Sequence, residues 1–105
     1  MANEEKRRAD RIAVVLEATW DGGSGLREAR VSDIAPGGCF VDTIGQAALG
    51  EVVHINVRLP SGDWLTLSGI VVHLNLHMGF GISFTNLSEE QRQSINQLIH
   101  AATHL

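Results

Sequence analysis

Glu51 to Leu59 alternates with a period of two. Val53, Ile55, Val57 and Leu59 fall on one side, and His54, Asn56 and Arg58 on the other. Such a pattern suits an extended chain with one buried face and one wet face, so it predicts a strand of an antiparallel sheet. The same two-residue period recurs in short runs along most of the chain. Ile12 to Thr19 places Ile12, Val14, Leu16 and Ala18 on one face, and Leu26 to Ile34 alternates Glu28, Arg30 and Ser32 with Ala29 and Val31. Cys39-Phe40-Val41, Trp64 to His73 and Gly79 to Phe84 complete a set of six. Turn chemistry separates them: Asp21-Gly22-Gly23-Ser24-Gly25, Pro36-Gly37-Gly38 and Pro60-Ser61-Gly62-Asp63.

The period changes after Phe84. Ser88 is followed three residues later by Gln91, with Glu89 and Glu90 between them. That is a capping box, with acids near the positive end of the helix dipole. Ile95, Leu98, Ile99 and Ala102 then recur at helical spacing, so a helix is expected over about 88–104. The fold class that follows is all-β with one C-terminal helix: a small six-stranded antiparallel β-barrel whose open end the helix covers. At 105 residues there is room for one core. Residues 1–6 read as a flexible arm and 7–105 as the domain.

Charge is uneven. The net charge is -4, yet Lys6, Arg7, Arg8 and Arg11 supply four of the eight basic residues. The body is acidic, which weighs against DNA or RNA as partner, because a polyanion needs a broad basic face. A small anion fits the layout better, although a run like this is also what a solvated tail looks like. No apolar run nears the roughly 18 residues that span a bilayer. Met1 to Arg11 lacks the apolar stretch of a signal peptide. A cytoplasmic protein without a membrane partner is expected.

Catalytic and metal chemistry find little support. His73 and His77 are expected at a strand end and in a loop, where a spacing of four does not align side chains. His100 and His104 share a helical face but have no further ligands indicated. Cys39 is a lone thiol in an apolar strand, which excludes an internal disulfide and reads as a small buried side chain. Gly79-Phe80-Gly81 is too short for a phosphate loop, and its glycines fit a bulge or a close backbone approach. No enzyme, metal or cofactor is expected.

Two segments remain. Arg7-Arg8-Ala9-Asp10-Arg11 precedes the first strand, and Asp33-Ile34-Ala35-Pro36-Gly37-Gly38 follows the second. Guanidinium groups bond phosphate and the O6/N7 edge of guanine bidentately. A carboxylate accepts from the guanine N1 and N2 donors. A Gly-Gly turn lets backbone amides approach a ligand. The combination suits a guanine nucleotide that carries phosphates, while Asp33 alone also fits an ordinary turn residue.

In this order the segments resemble the PilZ domain family, bacterial receptors for cyclic di-GMP. Arg7 and Arg11 match the family's Arg-x-x-x-Arg motif, and Arg8 stands where many members carry another arginine. Asp33 and Gly38 match its Asp-x-Ser-x-x-Gly motif. Gly37-Gly38-Cys39-Phe40-Val41, Leu59-Pro60 and Met78-Gly79-Phe80-Gly81-Ile82-Ser83-Phe84 resemble the flanking pattern, so the likeness runs from about Lys6 to Leu98. The departure is Ala35, where the family has the serine that helps hold a guanine. The resemblance implies a cyclic di-GMP site formed by Arg7, Arg8, Arg11, Asp33, Ala35 and Gly38. It also implies an arm that orders on binding and an effector protein that receives the signal. The alternative is a degenerate PilZ-like module that binds protein and no nucleotide.

Overall fold

The computed structural model describes residues 11–23 and 25–103. Six strands and one helix follow each other along the chain: β1 (Ile12–Asp21), β2 (Leu26–Ala35), β3 (Gly38–Asp42), β4 (Val52–Arg58), β5 (Trp64–Asn75), β6 (Gly79–Phe84) and α1 (Glu89–Thr103). The strands close into an antiparallel barrel in the order β1-β2-β3-β6-β5-β4. The expected fold class is the observed one. Two of its closures join strands distant in sequence: β6 lies between β3 and β5, and β4 returns to β1. His73 lies inside β5 rather than at a strand end, because β5 runs on to Asn75; His77 is in the following turn with φ 70°.

Alternation builds the core. Val53, Ile55 and Val57 of β4 are fully buried together with Val31, Val41, Leu67 and Val71. Trp20 and Phe80 close the barrel at the end away from the helix, with ring centroids 4.9 Å apart in an edge-on contact. The indole Nε1 donates to Thr43 Oγ1 at 3.1 Å, so the one polar atom of that ring is paired.

The other end is covered by α1. Ser88 Oγ accepts from the Gln91 amide at 3.1 Å, and Gln91 Oε1 accepts from the Ser88 amide at 2.7 Å. Both halves of the capping box are therefore made. Gln91 Nε2 also donates to the Thr66 carbonyl at 2.8 Å, which ties the first helical turn to β5. Ile95 and Leu98 are buried against the barrel, each worth about 1.5–3 kcal/mol of apolar burial.

Three pairings carry an extra residue. The irregularities fall between Ala13 and Leu16 on β1, between Val31 and Asp33 on β2, and between Val71 and His73 on β5. The first two lie opposite each other, beside the candidate site, and they decide which way Asp33 points.

Candidate functional site

Val31 and Ile34 of β2 are both buried although they are three residues apart. A regular strand would send them to opposite faces. The extra residue, Ser32, resets the alternation, so that Asp33 pairs with Ala13 on one side and Phe40 on the other. Asp33 is thereby turned to the outer wall. There Arg11, just before β1, donates through Nη2 to Asp33 Oδ2 at 2.8 Å. The side chains are 50% and 27% exposed, so the pair sits at the surface with room for a third group. Oδ1 of Asp33 accepts from no other described residue.

Two of the six expected site residues are thus brought together. Ala35 lies two residues beyond Asp33 on β2 and pairs with Gly38 across the Pro36-Gly37 turn. Its methyl group offers no hydrogen bond. Gly38 has a packing reason of its own: a Cβ there would collide with the backbone carbonyl of Ile82 on β6. Only glycine lets β3 approach β6 at this point. At Gly37 a Cβ would meet open space, so that face of the turn stays accessible. Arg7 and Arg8 lie outside the described residues.

The register adds residues that sequence reasoning did not assign to the site. Asp33 pairs with Phe40, Phe40 with Gly81, and Gly81 with His73, forming one row across four strands. Cys39 and Val41 point into the core, so Phe40 between them points outward. It is nevertheless only 9% exposed. Gly81 leaves a low floor beside it: a Cβ there would sit 3.8 Å from Phe40 Cδ1 and 3.5 Å from His73 Cβ. Residues 33 and 40 were visible in sequence, but their adjacency depends on the Ser32 bulge.

Cys39 is a free thiol buried in the barrel. Burial pushes its thiol far above the usual range, and the Asp33 carboxylate nearby pushes it further. Among the described residues no cluster of three or more His, Cys, Asp or Glu could hold a metal ion. No described helix is long and apolar enough to cross a membrane.

A concavity of about 1020 Å³ lies along β1 and β2 and reaches Asp42 at the end of β3. Glu17, Glu28 and Asp42 line it against one guanidinium, Arg30. That balance disfavours an anion. The accessible positive charge beside Asp33 is Arg11, so an anionic ligand is better served at the Arg11 end.

The described residues form a closed six-stranded barrel covered by one helix, with an arginine–aspartate pair on its outer wall. The family is then specific: the model of the PilZ domain matches residues 5–101, and the chain belongs to that family. Among solved structures, the PilZ domain of CeSA from a cellulose-synthesizing bacterium superposes with a TM-score of 0.69 at 21% identity, over 90% of this chain and 98% of that one. The Bacillus subtilis inhibitor of motility, MotI/DgrA, gives 0.73 at 15% identity, over 87% and 48%. The Borreliella burgdorferi PlzA protein in complex with c-di-GMP gives 0.67 at 14% identity, over 93% and 45%. The chain thus spans about half the length of the MotI and PlzA chains. No curated protein sequence matches it.

Proposed function

We propose that this chain is a cyclic di-GMP receptor domain that passes its bound state to a partner protein and catalyses no reaction. The observation that carries the reading is the Arg11–Asp33 pair on the outer wall. A guanidinium has five donors, and one of them reaches Asp33 Oδ2, so others remain for a phosphate. Asp33 Oδ1 is left to accept from a guanine edge. The pair also holds Arg11 in place before the ligand arrives, which lowers the ordering cost of binding.

Arg7 and Arg8 join from the N-terminal side. The arm closes over the phosphates, and the surface presented to a partner changes as it does so. Membership of the PilZ family and the ligand in the PlzA structure support the choice of nucleotide. One feature favours a second reading, a protein-binding module without nucleotide: the methyl of Ala35 where the family serine would bond a base.

Calorimetric titration with cyclic di-GMP, with GTP as control, separates the two. The receptor reading expects selective heat from cyclic di-GMP. Arg11→Ala should weaken binding about 10- to 150-fold, the worth of one charge-assisted bond at about 1.5–3 kcal/mol. Unchanged affinity in that variant would remove Arg11 from the site. No heat from the wild-type chain, with unchanged amide spectra, would leave the protein-binding module.

A further inference from the structure

Gly81 differs from the other glycines in strands. There are four of these, and a Cβ at Gly38, Gly69 or Gly79 would strike a backbone carbonyl of the neighbouring strand. Those three are required by the way β3, β5 and β6 pack. At Gly81 the same Cβ would sit 3.5 Å from His73 Cβ and 3.8 Å from Phe40 Cδ1, both ordinary contacts, and the backbone there does not take a positive φ. Glycine in a strand interior weakens the strand, because it loses more backbone entropy and packs no side chain. The fold has room for a side chain at this point, yet none is present.

The position of Gly81 says what the opening serves. Phe80 and Ile82 are buried, so Gly81 faces outward, in the row that runs Asp33, Phe40, Gly81, His73. The Phe40 ring lies beside Gly81 and not over it, because a covering ring would stand closer to the added Cβ. What results is a strip of bare peptide, partly open to solvent, with Phe40 on one side and the exposed His73 on the other. Neighbouring strands are about 4.8 Å apart, so Gly81 lies two spacings, roughly 9.6 Å, from Asp33. A strand glycine of this kind lets a ligand settle against the backbone itself.

We propose that Gly81 forms the floor of the base subsite. The guanine whose edge bonds Asp33 lies along this row, with its ring plane against the Gly81 peptide, between Phe40 and His73. The inference rests on the reading of the chain as a cyclic di-GMP receptor, and it adds a ligand contact on β6 to that reading. A planar ring fits a strip that carries no side chain. A methyl group at position 81 lifts the ring off the peptide and tilts its edge away from the Asp33 carboxylate. The floor supplies shape, and the choice of base stays with Asp33.

Calorimetry with cyclic di-GMP and thermal melting of the full chain, wild type and Gly81→Ala, test it. The added methyl should weaken binding about tenfold or more. The melting temperature should stay level or rise, since alanine fits the site and orders at a smaller entropy loss. Cyclic di-GMP should also shift the Phe40 ring-proton resonances through the ring current of the base, and that shift should shrink in Gly81→Ala. Equal affinity in the two chains overturns the subsite and leaves the receptor reading standing. A lowered melting temperature in Gly81→Ala assigns the glycine to the irregularity between Val71 and His73 on the neighbouring strand, and overturns the subsite as well. A wild-type chain that binds no cyclic di-GMP removes the receptor reading and the subsite with it.

Discussion

Restoring a hydroxyl at position 35 by Ala35→Ser is expected to tighten cyclic di-GMP binding about 2- to 13-fold, the range of one neutral hydrogen bond at about 0.5–1.5 kcal/mol. The geometry supports a clean experiment. Ile34 is buried and Ala35 is only partly so, which puts the Ala35 side chain on the same outer face as Asp33. At about 3.3 Å per residue, the two Cα atoms lie roughly 6.6 Å apart along β2. A base held by Asp33 is therefore within reach of the new hydroxyl. The substitution adds one oxygen at a partly open position and leaves the pairing with Gly38 intact, so stability should change by less than about 0.5 kcal/mol. Calorimetry reads the affinity and thermal melting reads the stability. If Ala35→Ser leaves affinity unchanged while Arg11→Ala weakens it about tenfold or more, the ligand does not reach position 35. The reasoning that assigns the family serine's role to this point of β2 would then be refuted.

Gly38→Ala should destabilise the fold by about 1–3 kcal/mol, because the added Cβ forces β3 away from the Ile82 carbonyl; urea unfolding measures it. Ser88→Ala removes the cap of α1 and should cost about 1 kcal/mol in the same assay. The Cys39 thiol should resist aromatic disulfide reagents in the native state and react on unfolding. Its folded pKa is raised above the ordinary value of 9.0, so the folded state keeps a proton that the unfolded state releases. Its contribution to stability is full below pH 9.0 and is lost as pH rises from there, by about 1.4 kcal/mol per pH unit; Cys39→Ala should flatten that slope.

The strands and the helix were legible because each announces itself locally. Val53, Ile55 and Val57 repeat every two residues, and Ser88 with Gln91 forms a cap that needs only its own neighbours. The orientation of Asp33 was not legible. Strict alternation from Glu28 to Ser32 would put Asp33 on the side of Ala29 and Val31, burying a carboxylate at a cost of several kcal/mol. The Ser32 bulge avoids this, and it exists only because β2 meets β1 and β3 in a particular register. For the same reason Phe40 read as one residue of a short strand, and its place beside Asp33 and Gly81 emerged only from pairing. Gly38 was picked for an approach to a ligand, yet the contact that requires glycine there is with Ile82 of the chain's own β6. Motif spacing placed Arg11 and Asp33 in one candidate site, each facing a ligand; their direct ion pair is visible only in the fold.

The position of β6 bears on how the molecule is made. The last strand in sequence is inserted between β3 and β5. A growing chain that has not yet produced Gly79 to Phe84 therefore carries two unsatisfied strand edges, each able to pair with a neighbouring chain. The sheet cannot be completed by zipping hairpins in order of synthesis. It must hold a gap open for its final strand, and closure needs contacts between residues far apart in sequence, which slows folding. Any premature stop upstream of Gly79 should yield an aggregating product rather than a smaller working domain.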